Sequence, residues 1–333
     1  MRINESMCKN LHAFFIVATL FFACGLKIAE AQLAATTPML EPTLFAPNEI
    51  STGDYDSHPA FTPDGKTLYF LKITPDFNFW TIVVSRFANE HWSDPTVASF
   101  SGQYSDADPF ITADGKQFFF ISRRPPSNEK FDDKPHDTDI WVMNKLADGG
   151  WSAPLNLGAP VNSEGNEYYP TAAANGTLYF GSRRKKGFGS VDIYRSRLVN
   201  GKYQEPENLG DAINTKFDEF EPYIAPDESF MIFMAGGRPD SLGGYDLYIS
   251  YNRNGGWTKA QNLGAPFNSS ADEFSPKFSP DGKSFFWSST RSAIDKPSAK
   301  KLAYVEILKR FHSPQNGLGD IYYIAASALK IER

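Results

Sequence analysis

The sequence predicts an all-β fold, a β-propeller of five four-stranded blades, and three observations lead to it. One aromatic-rich phrase recurs five times along the chain, two further strand-like runs follow most copies, and the last copy lacks its fourth run. Sheets repeated around one axis keep their edges short and protected, whereas a row of separate sheets would expose them. A degenerate sixth blade is the alternative.

The first 31 residues have the layout of a secretory signal peptide and are set apart from the fold. A positive start and a mostly apolar run over residues 11–26 precede the small residues Ala29 and Ala31. Cleavage before Gln32 would leave residues 32–333 as a single domain. The alternative is a lipid anchor at Cys24, because residues 21–25 loosely match a lipoprotein processing site. Both interpretations place the protein in the periplasm or outside the cell.

Composition excludes several classes of function. Both cysteines, Cys8 and Cys24, lie in the predicted signal, so the mature chain has no disulfide, thiolate metal site or cysteine nucleophile. Residues 32–333 carry 30 Lys and Arg against 37 Asp and Glu, a balance that argues against a nucleic-acid partner. We expect no transmembrane segment there and a monomer, although the sequence holds no direct signal for oligomeric state.

The repeated phrase is the signature of a β-hairpin. Its copies occupy residues 57–72, 107–122, 168–182, 220–236 and 274–289, aligned on Pro59, Pro109, Pro170, Pro222 and Pro276. Four copies place Asp-Gly or Asn-Gly between two aromatic or β-branched runs, which predicts a tight turn. In the remaining copy Asp227-Glu228 stands there, so we expect a differently shaped corner.

Two further runs follow the hairpins and bring each unit to four strands. The third run occupies residues 81–85, 139–143, 192–196, 246–250 and 320–324. The fourth run occupies residues 91–99, 150–158, 202–210 and 256–264, and the last unit has none. Residues 42–46 (PTLFA) resemble residues 95–99 (PTVAS), so we predict that an N-terminal strand completes the last blade and closes the ring.

The whole unit reads PxFxPDGKxLYFSS, then DIYxS, then WxxPxNLGxx(I/V)N. In this form it resembles the WD40-like β-propeller repeat (PD40-like) of TolB-type proteins, from about residue 42 to residue 328. The resemblance implies a propeller that binds a protein or glycan in the cell envelope. The resemblance is not specific for any activity, since one fold carries many functions.

Three sets of charged residues recur in register and should share one face of the propeller. Acids stand three residues before the aligned prolines, at Asp56, Asp106, Glu167, Glu219 and Glu273. Basic residues end the second strands, at Lys72, Arg123, Arg183, Arg238 and Arg291, and aspartates begin the third strands, at Asp139, Asp192, Asp246 and Asp320. Recurrence favours structural, charge-assisted hydrogen bonds between these sets. The alternative is a ligand site at this rim, to which His58 and Tyr168 would add stacking surfaces.

Two long connections lie on the same face. Residues 124–138 form a polar loop, and residues 292–319 form an insertion in which residues 298–311 could make a short helix or, over LAYVEIL, a strand. The helix would either pack over its own blade or dock a partner. We expect no cofactor, because the acids and the basic residues of this face nearly balance, and a calcium ion at the channel mouth is the alternative.

The sequence contains no motif that assigns catalysis. It has no HExxH, GxSxG or P-loop pattern, and no residue is given a catalytic role. We therefore predict a secreted or periplasmic binding or scaffold module that recognises an envelope protein or glycan through the acidic rim and its loops. The alternative is a polysaccharide-active enzyme, a glycoside hydrolase or lyase, with two rim carboxylates as acid and base and His58 or His136 beside them.

Overall fold

The computed structural model describes residues 40–126, 134, 136–185, 187–294 and 296–332. The predicted signal peptide and Cys24 lie outside these residues, as do positions 127–133 and 135 of the predicted long loop. The rest of the chain forms five antiparallel sheets, each with four strands from the centre to the outside.

The five blades follow one another along the chain. Blade 1 contains β2 (Tyr55–Phe61), β3 (Thr67–Ile73), β4 (Trp80–Ala88) and β6 (Thr96–Val97). Blade 2 contains β7 (Asp106–Ile111), β8 (Gln117–Ser122), β9 (Asp139–Asn144) and β10 (Leu155–Asn156). Blade 3 contains β11 (Glu167–Ala172), β12 (Leu178–Ser182), β13 (Asp192–Ser196) and β16 (Glu207–Asn208). Blade 4 contains β17 (Asp218–Ile224), β18 (Phe230–Gly236), β19 (Tyr245–Arg253) and β21 (Gln261–Asn262). Blade 5 contains β22 (Glu273–Phe278), β23 (Ser284–Ser289), β24 (Asp320–Ala325) and β1 (Thr43–Leu44).

Short elements decorate this framework at its edges. The two-residue strands β5 (His91–Trp92), β14 (Leu198–Val199), β15 (Lys202–Tyr203) and β20 (Gly256–Trp257) extend the hairpins between third and fourth strands. A helix, α1, spans Tyr304–Phe311, and a 3-10 turn spans Ala326–Leu329.

The ring closes through the N-terminal strand, as the sequence predicted. β1 pairs antiparallel with β24, with Thr43 opposite Tyr323, and the amide of Phe45 donates to the carbonyl of Ile321 at 2.8 Å. The inner strands of neighbouring blades contact each other all the way round, including those of blades 5 and 1. The prediction of five blades is confirmed, and the described residues form no sixth.

Phe45 fastens the first blade to the last. Its ring makes edge contacts with Phe61 and Trp92 of blade 1 and with Phe286 and Tyr323 of blade 5, at centroid distances of 5.2–5.9 Å. Edge-to-face geometry is the favoured arrangement of aromatic pairs. The chain closure therefore rests on side-chain packing as well as on strand pairing.

The hairpin corners have one shape in all five blades, so the prediction of a different corner at Asp227-Glu228 is wrong. In blade 1 the amide of Gly65, at φ +67°, donates to the carbonyl three residues earlier. In blade 4 the amide of Glu228, at φ +58°, makes the same bond to Ala225 at 2.8 Å. The Glu228 carboxylate accepts a 2.6 Å hydrogen bond from Tyr179, which helps to hold a non-glycine residue in the left-handed region.

The insertion in blade 5 contains a helix that begins later than predicted. The sequence allows a helix over residues 298–311 or a strand over LAYVEIL, whereas the helix α1 starts only at Tyr304, and the strand alternative is wrong. The Glu306 carboxylate accepts a hydrogen bond from the amide of Ala303 at 2.8 Å, which satisfies one donor at the helix start. None of the helix residues is buried.

Candidate functional site

The five repeated acids are buried, and their carboxylates are engaged by groups of the protein itself. Asp56, Asp106, Glu167, Glu219 and Glu273 are all 0% exposed. The Glu219 carboxylate accepts hydrogen bonds from the Thr215 amide and hydroxyl at 2.8 and 2.7 Å and from Arg238 at 2.7 Å. Burial raises the pKa of each acid, and that of Glu167 reaches about 7. These groups fasten the segment that crosses between blades, so the predicted ring of carboxylates does not line the channel mouth.

The basic partners of these acids differ from the predicted set in two blades. Lys72, Arg238 and Arg291 pair with the acids as expected. In blades 2 and 3, however, the partners are Arg124, with Asp106 at 2.7 Å, and Arg184, with Glu167 at 3.8 Å. Assigning this pairing to Arg123 and Arg183 is therefore wrong by one residue.

Arg123 and Arg183 point elsewhere. Their guanidinium carbons lie 4.5 Å from the Trp80 ring centroid and 5.9 Å from that of Tyr168, respectively. Cation–π contacts of this kind leave the hydrogen-bonding edge of each guanidinium available to another group. Two of the predicted rim residues thus stand over aromatic side chains near the channel.

The aspartates of the third strands also have internal roles. The Asp192 carboxylate accepts hydrogen bonds from the amides of Phe188 and Gly189 and from Asn208, at 2.6–2.9 Å. Asp246 repeats this arrangement in blade 4. These residues shape the connections between the second and third strands of the blades. We call the face of the propeller on which these connections lie the loop face.

The residue before each aligned proline leaves the strand register in every inner strand. The five residues have φ between 45° and 61°, and each lies in a β-bulge: His58, Asp108, Tyr169, Glu221 and Ser275. A left-handed conformation costs a non-glycine residue roughly 1–2 kcal/mol. Bulges of this kind redirect a side chain. Here they bring five different side chains together at the centre of the ring.

The five central side chains connect to one another across the channel. His58 Nε2 lies 3.3 Å from Asp108 Oδ1 and 3.2 Å from Glu221 Oε1. The second oxygens of these carboxylates accept hydrogen bonds from the amides of Tyr169, at 2.8 Å, and Ser275, at 2.6 Å. The Tyr169 hydroxyl lies 3.2 Å from that of Ser275. We call this group the central cluster, and it links all five blades.

The charges of the central cluster depend on one another. Burial alone would lower the pKa of His58, but the nearby carboxylates of Glu221 and Asp108 raise it overall. Burial raises the pKa of Asp108 to about 6, against the opposing effect of His58. The two carboxylates therefore favour the imidazolium form of His58.

An apolar cavity of about 190 Å³ opens above the central cluster on the loop face. His58, Asp108 and Glu221 form its polar floor. Its walls are apolar or aromatic and comprise Leu71, Ile73, Phe77, Trp80, Ala107, Ile121, Tyr168, Phe220 and Met234. We call this cavity the cup. Arg123 and Arg183 stack on two of its walls, so positive charge stands beside an apolar recess.

Large apolar side chains also lie exposed on the loops of the face that carries the cup. Their exposed fractions range from 40% to 74%, and they are Phe77, Phe79, Phe188, Leu242, Tyr304, Val305 and Phe311. They come from the loops of blades 1, 3, 4 and 5. Seven of the 14 large exposed apolar side chains among the described residues lie on these loops, and patches of exposed apolar side chains mark interaction surfaces.

Of the predicted rim residues, the structure brings together only four at the cup. His58 is in its floor, Tyr168 is in its wall, and Arg123 and Arg183 stand over its aromatic rings. Sequence reasoning missed Asp108, Glu221 and Ser275 as a set. The sequence signal for them is variation: the residue before the aligned proline changes from copy to copy, whereas that proline and the acid three residues before it recur in every copy.

Within the described ranges, no group of three or more His, Cys, Asp or Glu is placed to hold a metal ion. His136 lies in the described part of the blade 2 loop and not in the cup lining. Across the same residues, no helix is long and apolar enough to cross a membrane.

The fold and the cluster define a five-bladed β-propeller whose channel is closed at the centre by ionisable side chains. Neither a protein-family model nor a curated protein sequence matches the chain. Among solved structures, it is similar to TolB from Acinetobacter baumannii, with 14% identity, a TM-score of 0.44, and coverage of 81% of this chain and 54% of that one. It is also similar to a putative TolB from Agrobacterium tumefaciens, with 14% identity, a TM-score of 0.47, and coverage of 82% and 90%. An alpha-L-arabinofuranosidase from Lactobacillus brevis gives 11% identity, a TM-score of 0.46, and coverage of 84% and 91%. Similarity at this level assigns no ligand to the chain.

Proposed function

We propose that this propeller is a secreted or periplasmic binding module that holds a segment of a partner protein on its loop face. The observation that carries the proposal is the cup, an apolar recess on the face whose loops expose seven large apolar side chains. Binding sites are commonly concave and apolar with a few fixed polar groups. A protein segment is the occupant that matches both the recess and the exposed apolar side chains of these loops.

The size of the cup suits one large side chain. A cavity of about 150 Å³ holds benzene, and the cup measures about 190 Å³. A Phe, Leu or Met side chain would fill it, and interfaces commonly depend on such anchors. The fixed cluster beneath the cup means that little ordering accompanies binding, which favours affinity.

The charges near the cup select among apolar segments. Arg123 and Arg183 stand at its aromatic walls and can each donate to a carboxylate. We therefore expect the preferred segment to carry an acidic residue next to its apolar anchor. The five repeated acids take no part in this site, since they are buried and paired with basic residues.

Peptide selection tests this proposal. A random peptide library displayed on phage is selected against the purified propeller, and enriched peptides are measured for affinity to two variants. Phe77→Ser removes an exposed ring in the cup wall, whereas Phe87→Ser removes an exposed ring outside the loop face. We expect apolar-plus-acidic peptides whose affinity falls at least about tenfold in Phe77→Ser only, since hot-spot truncation costs about 2 kcal/mol or more. Equal losses in both variants, or no enrichment, would refute it.

A second candidate function is hydrolysis of a glycoside in the cup. It is favoured by two carboxylates, Asp108 and Glu221, that face one cavity, with the pKa of Asp108 raised to about 6. Glycosidases use such a pair as acid and base or nucleophile. A panel of polysaccharides, assayed for new reducing ends with the wild-type protein and Asp108→Asn, decides between the two. Turnover that the variant loses while remaining folded would favour the enzyme.

A further inference from the structure

A second cavity lies on the opposite face of the propeller, where the hairpin corners meet. Its volume is about 210 Å³, and it shares no lining residue with the cup. Pro63, Phe110, Tyr223 and Phe278 are among its mainly apolar lining residues, and Lys277 is its only charged one. We call it the corner cavity. The central cluster separates it from the cup.

Lys277 lies in the wall of this cavity, and its amine is buried without a hydrogen-bonding partner among the described residues. The residue is 5% exposed, and within the described part of the chain its Nζ has no hydrogen bond. The amine instead lies 4.3 Å from the Tyr169 ring centroid and 4.7 Å from that of Phe110. A buried ammonium that lacks an acceptor is costly, and contacts with aromatic faces offset only part of that cost.

Four ionisable groups surround Lys277. The carboxylates of Asp108 and Glu221 favour its charged form, but both are already engaged by His58 and by backbone amides. His58 and Lys277 oppose each other's charge, and the Tyr169 hydroxyl lies near Ser275 instead of Lys277. Burial outweighs the carboxylates and lowers the pKa of Lys277 to about 7.

We infer that the corner cavity binds small apolar monocarboxylates, with Lys277 Nζ donating to the carboxylate and the cavity walls enclosing the apolar body. One amine in an otherwise apolar recess matches a ligand with one anionic group and one hydrocarbon part. The volume exceeds the roughly 150 Å³ that holds benzene, so a six-membered ring bearing a carboxylate fits. A new carboxylate would supply the acceptor that the described residues do not. This inference does not depend on the function proposed for the cup.

Binding to the amine has a defined pH dependence. The carboxylate binds the ammonium form, so affinity should be greatest below pH 7 and should fall up to tenfold per pH unit above it. Deprotonation of Asp108, whose pKa is about 6, also weakens the binding of an anionic ligand as the pH rises, because it adds a negative charge nearby. Replacing Lys277 with Met removes the first effect and leaves the second, which allows the two to be separated.

Benzoate is a suitable probe, and benzyl alcohol is its uncharged counterpart. Titrations followed by amide chemical shifts and calorimetry at pH 6.5 and 8.5 compare the wild-type protein with Lys277→Met. We expect benzoate to shift amides around residues 110–113 and 223–226, to bind at least tenfold more weakly to Lys277→Met at pH 6.5, and to lose at least tenfold in affinity at pH 8.5. Benzyl alcohol should bind independently of pH.

A second variant protects the test against misfolding of the first. Ala113→Trp narrows the mouth of the corner cavity and leaves Lys277 in place. It should also abolish benzoate binding without changing the peptide affinity of the cup. Equal benzoate affinity in the wild-type protein and Lys277→Met, unchanged binding to Ala113→Trp, or a failure of benzoate to bind at pH 6.5 would overturn the inference.

Discussion

Replacing Phe45 with Ala should open the closure of the propeller. Phe45 follows β1 directly and contacts two aromatic rings on each side of the junction between blades 5 and 1. Removing its ring leaves β1 attached to β24 by a two-residue pairing and by one hydrogen bond, from the amide of Phe45 to the carbonyl of Ile321. The variant therefore tests whether aromatic packing or backbone pairing holds the chain ends together.

The expected cost follows from the lost contacts. Each aromatic pair contributes about 0.5–1.5 kcal/mol beyond its buried area, and replacing a core Phe with Ala costs about 3–5 kcal/mol. Phe45 is only half-buried, so we expect the free energy of unfolding to fall by about 3 kcal/mol. Phe87→Ala is the matched control, because Phe87 is 40% exposed and contacts only the Trp92 ring among the aromatic residues described. We expect a loss of about 1 kcal/mol there.

Guanidinium unfolding followed by circular dichroism measures both variants. Fluorescence is less suitable, since Trp92 touches both phenylalanines. Hydrogen exchange adds a local measurement, because the amides of β24 that face β1 should exchange faster in Phe45→Ala alone. A difference between the variants below about 1 kcal/mol, together with unchanged protection of β24, would refute the role assigned to Phe45.

Two further predictions concern the buried acids. Arg238→Met removes the cationic partner of the fully buried Glu219 carboxylate and should cost about 3–5 kcal/mol, whereas Arg195→Met breaks a partly exposed pair and should cost less than about 1 kcal/mol. Equal costs in guanidinium unfolding would contradict the structural role of these acids. Burial raises the pKa of Glu167 from 4.5 to about 7, so the folded chain holds more protons than the unfolded chain between these values, and stability should fall as the pH rises through this interval. Unfolding at pH 5 and pH 8 should show a smaller difference in Glu167→Gln than in the wild-type protein, and an equal difference in both would count against the shift.

The repeat carries most of the information about the fold. Each strand has its own aromatic or β-branched run, and the corner and the closing strand have local signals, so the five blades and the N-terminal strand could be predicted from sequence. The side-chain pairing of the arginines could not. Blades 2 and 3 each have two adjacent arginines, at residues 123–124 and 183–184, and neighbouring residues at a strand end point in different directions. The pattern of residue types alone does not indicate which of the two adjacent arginines pairs with the buried acid.

The candidate site escaped prediction for a related physical reason. The bulge before each aligned proline changes the direction of one side chain. A prediction that assumes strict alternation of inward and outward side chains along the strand assigns this side chain the wrong direction. The blade 4 corner shows the same limit, because Glu228 takes a conformation usually filled by Gly or Asn with help from the distant Tyr179. Both features depend on contacts between blades, which sequence spacing alone does not specify.

Because the central cluster closes the channel, the two faces of the propeller are separate surfaces and the channel is not a continuous passage between them. A solute on one face cannot thread through to the other without displacing His58, Asp108 and their partners. Charge still acts across this partition, because the positive charge of Lys277 on one side opposes protonation of His58 on the other and so acts to lower its pKa. A ligand that changes proton binding at Lys277 would therefore also change proton binding at His58, and the effect would be reciprocal.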